Sequence, residues 1–90
     1  MSQWTFLTNH AHVLIHLAGA PESRIRDIAR AVGITERSVQ SILHDLEAAG
    51  YVTTTKVGRR NTHSIQPDLR FRHPAEADHR IGELLSIFES

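Results

Sequence analysis

The sequence predicts a mainly α domain that carries one small β-hairpin. Three observations carry that expectation. Apolar residues at Ile25, Ile28, Ala29 and Val32, and again at Val39, Ile42, Leu43 and Leu46, keep the three-and-four spacing of half-buried helices. Gly33 and Thr35 fall between the two sets. The glycine suits a left-handed helix cap, and the threonine hydroxyl can accept from a free N–H of the following helix. After Gly50 the pattern changes to residues 51–57 (YVTTTKV), rich in β-branched and aromatic side chains, then a turn at 58–61 (GRRN), then 62–66 (THSIQ). Helix, tight turn, helix and hairpin in that order predict a winged helix-turn-helix: a three-helix core plus a wing.

Taken in order, Trp4, Phe6 and Leu7 precede Thr8-Asn9, both good N-cap types, and residues 10–18 read as a first helix closed by Gly19 with Pro21 beyond. Its apolar residues (Ala11, Val13, Leu14, Ile15, Leu17, Ala18) cover more than one stripe. Such a helix is either sandwiched between its own core and a partner subunit or deeply buried in a small domain. Residues 22–24 read as an extended connection able to pair as an edge strand with the hairpin. The helix-turn-helix follows and ends at Gly50. Residues 67–73 read as a linker, and Pro74 suits the first turn of a last helix, with Glu76 and Asp78 early, where the macrodipole favours anions. That helix places Ala77, Ile81, Leu84, Leu85 and Phe88 on one face. Gly82 within it costs ~1 kcal/mol relative to alanine, which points to a close approach by another helix. The expected organisation is one domain over 1–90, with a core at 9–66, a linker at 67–73 and a C-terminal dimerisation helix at 74–89.

Composition sets bounds on function. Ninety residues without cysteine leave no disulfide framework, no thiolate metal site and no cysteine nucleophile. Neither a signal-peptide pattern nor a run of ~20 apolar residues occurs, so a soluble, cytoplasmic and nucleoid-associated protein is expected, with no membrane partner. Ten Lys and Arg balance ten Asp and Glu, which by itself argues mildly against a nucleic-acid binder. Charge is sorted along the chain, however. Residues 24–63 carry seven cations against four carboxylates, and residues 64–90 carry three against five. No nucleophile elbow, phosphate-binding glycine loop or plausible carboxylate pair appears, so an enzyme is not expected.

At 100° per residue, the face of the second helix opposite its apolar stripe collects Arg37, Ser41, His44 and Ala48, with Gln40 at its edge. Arginine reads guanine and glutamine reads adenine through paired hydrogen bonds, serine adapts, and alanine lets the backbone approach. What separates this face from any solvated helix surface is its lack of carboxylates: Glu36, Asp45 and Glu47 lie toward its flanks. Thr35 and Ser38 suit phosphate contact or helix capping. The hairpin tip gathers Lys56, Arg59, Arg60, Asn61 and His63, more cations than a turn needs, and fits phosphate or minor-groove contact. Seven histidines invite a metal reading, because His12 and His16, like His79 and Glu83, are four residues apart. No third ligand accompanies either pair, so no metal site and no cofactor is expected.

With those residues in view, the chain resembles winged helix-turn-helix transcriptional regulators of the MarR/ArsR-like kind. The segments IRDIARAVGITERSVQSILHDLEAAGYV and TTTKVGRRNTHSI carry the resemblance. More narrowly, TFLTNHAHVL, GITERSVQ, LEAAGYV, GRRN and FRHPAEA are similar to a group of small single-domain bacterial regulators of actinobacterial type. The resemblance covers nearly all of residues 4–88. It implies a homodimer, probing double-stranded DNA with paired recognition helices and joined through first and last helices, here by Trp4, Phe6, Ile15, Ile81, Leu84, Leu85 and Phe88. One departure is His63-Ser64, where an aromatic or basic residue is expected on the returning strand. Full MarR proteins carry longer dimerisation helices and a ligand cleft, so no effector pocket transfers. Two other readings stay open: a winged helix used as a protein-interaction module, and a metal-responsive ArsR-like regulator.

Overall fold

The computed structural model describes residues 3–89. Helices α1 (Asn9–Gly19), α2 (Ile25–Val32) and α3 (Glu36–Ala48) are followed by strands β1 (Val52–Val57) and β2 (Arg60–Ile65), and the chain closes with α4 (Ile81–Ile87). This is the expected three-helix core with a two-stranded wing.

Threonine caps set the starts of α1 and α3. The Thr8 hydroxyl accepts from the Ala11 N–H at the head of α1, and Thr35 accepts from the Ser38 N–H at 3.0 Å at the head of α3. Both satisfy donors that a helix terminus leaves without a partner. Gly33 stands at φ +83° after α2, and its N–H and that of Ile34 both reach the Ala29 carbonyl. That left-handed cap turns the chain sharply enough for α3 to cross α2.

One apolar core joins the three helices to the base of the wing. Val13 and Leu17 of α1, Ile28 of α2 and Val39 of α3 are fully enclosed, and Ile42, Leu43 and Leu46 continue the α3 stripe. Tyr51 and Val52 enter the same core from the foot of β1, and Ile81 and Leu85 enter it from α4. The doubly apolar α1 is thus largely accounted for within one chain: Val13, Leu14 and Leu17 are buried and Ile15 packs partly against the core.

The wing is a tight antiparallel hairpin whose register pairs Val52 with Ile65, Thr54 with His63 and Val57 with Arg60. Its loop is only Gly58-Arg59, shorter than the expected four-residue turn, so Arg60 and Asn61 belong to β2. Gly58 has φ +63° and is the first of the two loop residues, and no other residue there has a positive φ. This is the glycine-first pattern of the type II′ turn, whose twist matches that of the flanking strands. The edge strand expected at 22–24 does not form. A single backbone bond, His63 N–H to the Pro21 carbonyl at 2.9 Å, ties this segment to β2. Pro21 has no N–H to return, so a ladder cannot propagate from it.

The last helix is shorter than the sequence predicts. It begins at Ile81, not at Pro74. The N–H groups of Glu76 and His79 bond three residues back, to His73 and Glu76, so residues 73–79 form separate turns instead of an α-helical ladder. The Glu83 carboxylate then accepts from the Arg80 N–H at 2.7 Å and fixes the helix start there. Residues 67–80 are an ordered strap, not a free linker. Ile81 N–H bonds Leu69 O, Gly82 N–H bonds Pro67 O, Phe71 N–H bonds His79 O, and the Tyr51 hydroxyl donates to Arg70 O. The close approach expected at Gly82 comes from Pro67 of this strap, not from another helix. A Cβ on Gly82 would lie 3.1 Å from both the carbonyl oxygen and the Cβ of Pro67.

Gly82→Ala therefore tests the strap. Helix propensity alone favours the change by ~1 kcal/mol, but the clash is with backbone, and overpacking of this kind costs about 1–3 kcal/mol. Urea unfolding is expected to show a net loss of stability; a gain would mean that Pro67 and α4 separate freely.

Candidate nucleic-acid interface

The buried stripe of Val39, Ile42, Leu43 and Leu46 fixes the rotation of α3 about its own axis. Arg37, Ser38, Gln40, Ser41 and His44 are consequently all exposed on its outer side. Thr35 is occupied locally: besides capping the helix, its hydroxyl donates to Ser38 Oγ at 2.9 Å. Ala48, grouped by spacing with the outer face, borders a different cleft on the α1 side of the helix.

Between α3 and the wing runs a cleft of about 850 Å³. Gln40 and His44 form one wall and Arg59, Arg60 and Asn61 the other, so the two predicted sets of residues meet on one surface. Arg37 and Ser41 lie on the exposed helix face outside that cleft, and Lys56 is exposed on β1 opposite Asn61 in the ladder. Side chains alternate along strands, so Lys56 and Asn61 share their side of the hairpin with Thr54 and His63.

The cleft also contains residues that sequence spacing did not single out. Arg24, the N-cap of α2, adds a cation to its wall. Arg24 was legible only as one of several arginines, because its placement depends on how the 20–24 connection folds over the wing. Glu22, Asp27 and Glu47 line the same cleft. The outer face of α3 is free of carboxylates, but the groove beside it is mixed in sign. Among the described residues, no arginine or lysine is ion-paired with a carboxylate within 4.0 Å; the two ion pairs present both involve histidine.

A helix with an uncharged-to-basic outer face thus stands beside a cationic hairpin. A model described as the MarR family matches residues 5–60. The chain belongs to the MarR family. That family comprises non-enzymatic DNA-binding transcription regulators. Among solved MarR-type structures, MepR, a transcription regulator of the Staphylococcus aureus multidrug efflux pump MepA, aligns with a TM-score of 0.62 at 20% identity, covering 90% of this chain and 56% of that one. The Mycobacterium tuberculosis MarR family protein RV2887, solved with salicylic acid, aligns with a TM-score of 0.55 at 25% identity, covering 67% and 47%. The zinc-dependent MarR family regulator AdcR in its Zn(II)-bound state gives a TM-score of 0.51 at 16% identity, covering 72% and 47%. This MarR-family chain thus spans about half the length of those regulators. No curated protein matches it.

The histidine pairs do not form a metal centre. His12 Nδ1 meets Asn9 Oδ1, whereas His16 Nε2 meets Ser23 Oγ, so the two rings are committed to different neighbours. The Ser23 hydroxyl proton goes to Ala20 O, which makes His16 Nε2 the donor in that contact. His79 and Glu83 pair with each other at 2.9 Å on the surface. Among the described residues no group of three or more His, Asp or Glu side chains is placed to hold an ion.

The residues expected at a dimer interface divide into two groups. Ile81, Leu84 and Leu85 are buried within this chain, Ile81 and Leu85 as members of its core. The helix contacts α1, and its first N–H groups bond Leu69 O and Pro67 O of the strap. Trp4 and Phe6 are exposed, Phe88 is half exposed, and Ile15 is partly covered.

His63, expected among the tip cations, is instead buried at the root of the wing. Its Nδ1 lies 3.0 Å from Thr54 Oγ1 on the opposite strand, and its N–H is the one bonded to Pro21 O. Burial pushes the imidazole below its ordinary value of 6.5, and the Glu47 carboxylate pulls it partly back. The neutral ring is therefore the form that the fold accommodates. A histidine with a lowered folded-state pKa contributes its stability fully above 6.5 and loses it as pH falls through the folded value. Unfolding free energy measured from pH 7.5 down to 5 should fall less steeply in His63→Phe than in the parent. Parallel curves would mean that the ring is already solvated.

Proposed function

We propose that this MarR-family chain is a sequence-specific double-stranded DNA-binding transcription regulator that works as a homodimer in the cytoplasm, most simply as a repressor that occludes a promoter. The observation that carries the reading is the meeting of the carboxylate-free face of α3 with the arginine-bearing wing on one surface. In this reading α3 enters a major groove, Arg37 and Gln40 hydrogen-bond base edges, and Ser41 and His44 follow the groove wall. Thr35 and Ser38 face phosphate at the helix start, and Arg59, Arg60, Lys56 and Asn61 of the wing track the backbone or the adjacent minor groove. A two-fold pair of such units reads half-sites about 34–36 Å apart. No helix among the described residues is long and apolar enough to cross a membrane.

The mixed charge of the cleft, with Glu22, Asp27 and Glu47 beside the arginines, favours one rival: a winged helix that docks on another protein and not on DNA. Duplex affinity measured against salt separates the two readings. For DNA binding, Arg37→Ala with Gln40→Ala is expected to remove sequence preference, each change costing about 1–3 kcal/mol on the preferred site, while non-specific binding persists. Arg59→Ala with Arg60→Ala is expected to weaken binding to all sequences and to lower the salt slope by roughly 1.8. Retention on duplex DNA that is absent at low salt would instead support the protein-docking reading.

A further inference from the structure

Among the described residues, His63 alone of the histidines and charged side chains is buried, and it is the outermost buried residue of the hairpin. Val52 and Ile65 pair at the foot of the wing, where Gln66 N–H bonds Tyr51 O. Two pairs further up, His63 ties β2 to two other segments. Its Nδ1 lies 3.0 Å from Thr54 Oγ1 on β1, and its N–H bonds Pro21 O in the connection before α2. Beyond it Thr62 is half-buried, and the other side chains out to the tip are exposed.

The same residue borders the cleft between α3 and the wing, and charged groups reach that cleft from each element around it. Glu47 and His44 come from α3, Glu22 and Arg24 from the connection, Asp27 from α2, and Arg59 and Arg60 from the hairpin. On the α1 side, His16 is committed to Ser23 Oγ. Glu47 favours a charged His63 ring, but burial opposes it more strongly. His10 and His79 each bond a carboxylate at 2.9 Å, whereas among the described residues none lies within 4.0 Å of His63. A proton taken up there has no counter-ion.

We propose that His63 is a proton-operated latch: its neutral ring holds the outer hairpin against the 20–24 connection, and proton uptake frees that part of the wing while the core stays folded. A buried cation without a partner is costly. The ring already borders the cleft, so hydrating it there means drawing β2 away from Pro21 and giving up the one backbone bond between them. The apolar cluster that joins Val13, Leu17, Ile28 and Val39 to Tyr51 and Val52 at the foot does not include His63. Opening can therefore be local, as it is in many folds whose outer elements carry few buried contacts. Below pH 6.5 a released His63, titrating at its ordinary value, takes up a proton before the latched one does. The opening constant then rises by up to about tenfold per pH unit until the latched ring titrates too. For duplex binding the consequence rests on the function proposed above: Arg59 and Arg60 are held in place with a neutral ring and lose their support with a charged one.

Amide hydrogen exchange of the full chain without DNA, followed by NMR from pH 7.5 to 5 and corrected for intrinsic rates, tests the latch. The His63 amide is expected to lose protection below pH 6.5, while the Gln66 amide at the foot and the Ile42 and Leu43 amides of α3 keep theirs. His63→Phe should remove the pH dependence. Glu47→Gln, at an exposed position that leaves the imidazole in place, should make it steeper, because the latched ring loses the carboxylate that favours its charge. Protection at His63 that ignores pH, that falls in step with α3, or that falls equally in His63→Phe would overturn the proposal. So would a Glu47→Gln slope no steeper than the parent's, whether or not the phenylalanine variant folds. A parallel titration with duplex separates the two readings. The affinity lost through Arg59→Ala with Arg60→Ala should shrink towards pH 5 in the parent and stay constant in His63→Phe. A constant loss in a parent that binds would overturn the latch's part in binding, whereas no duplex affinity at pH 7.5 would defeat the DNA reading alone.

Discussion

The burial of one stripe on α3 is the constraint on which the rest depends. Val39, Ile42, Leu43 and Leu46 pack between α1 and α2, and each fully buried aliphatic side chain contributes about 1.5–3 kcal/mol. Rotating α3 by a single residue would move it 100° and bring polar side chains into the core at a cost the domain could not bear. The same packing that stabilises the fold therefore determines which side chains face outward. Arg37, Gln40, Ser41 and His44 are presented by default, and no hydrogen bond is required to aim them.

The wing is tied to this frame at its foot, not along its length. Tyr51 and Val52 enter the core, Gln66 N–H closes the hairpin base on Tyr51 O, and His63 anchors β2 to both Thr54 and Pro21. Beyond that level the strands are exposed, apart from a half-buried Thr62, out to Gly58 and Arg59. A hairpin fixed at one end and solvated at the other can hold its direction while its arginine tip adapts, which suits contact with a charged and locally variable backbone. His63 also explains a departure from the resembled family. The strand position expected to carry an aromatic or basic side chain carries a buried neutral imidazole, which fills space like a ring and satisfies a hydroxyl like a polar group.

The helices of the core were legible in sequence because their signals are local: a periodic stripe, a threonine cap, a glycine at each left-handed helix end, Gly33 and Gly50. The outer face of α3 was legible for the same reason, since one face implies the other. What failed was non-local. The last helix was read from Pro74 because proline and early acids mark helix starts, yet the start is fixed at Arg80 by Glu83 and by backbone bonds from Leu69 and Pro67, none of which has a sequence signature. The strap that brings Ile81 and Leu85 of that helix into the chain's own core has no sequence signature either. Arg24, Glu22, Asp27 and Glu47 entered the cleft unannounced because three separate elements bring them there. His63 counted as a tip cation until the two-residue turn placed it four positions down the strand from Arg59.

The central claim is that the face of α3 exposed by core packing reads a DNA sequence. Selection of bound duplexes from a random pool tests it most directly. For the proposed homodimer, enrichment of one motif is expected, arranged as two inverted half-sites whose centres are one helical turn apart, because its two recognition helices would enter successive major grooves. A pool that returns unchanged after repeated rounds at physiological salt would contradict it.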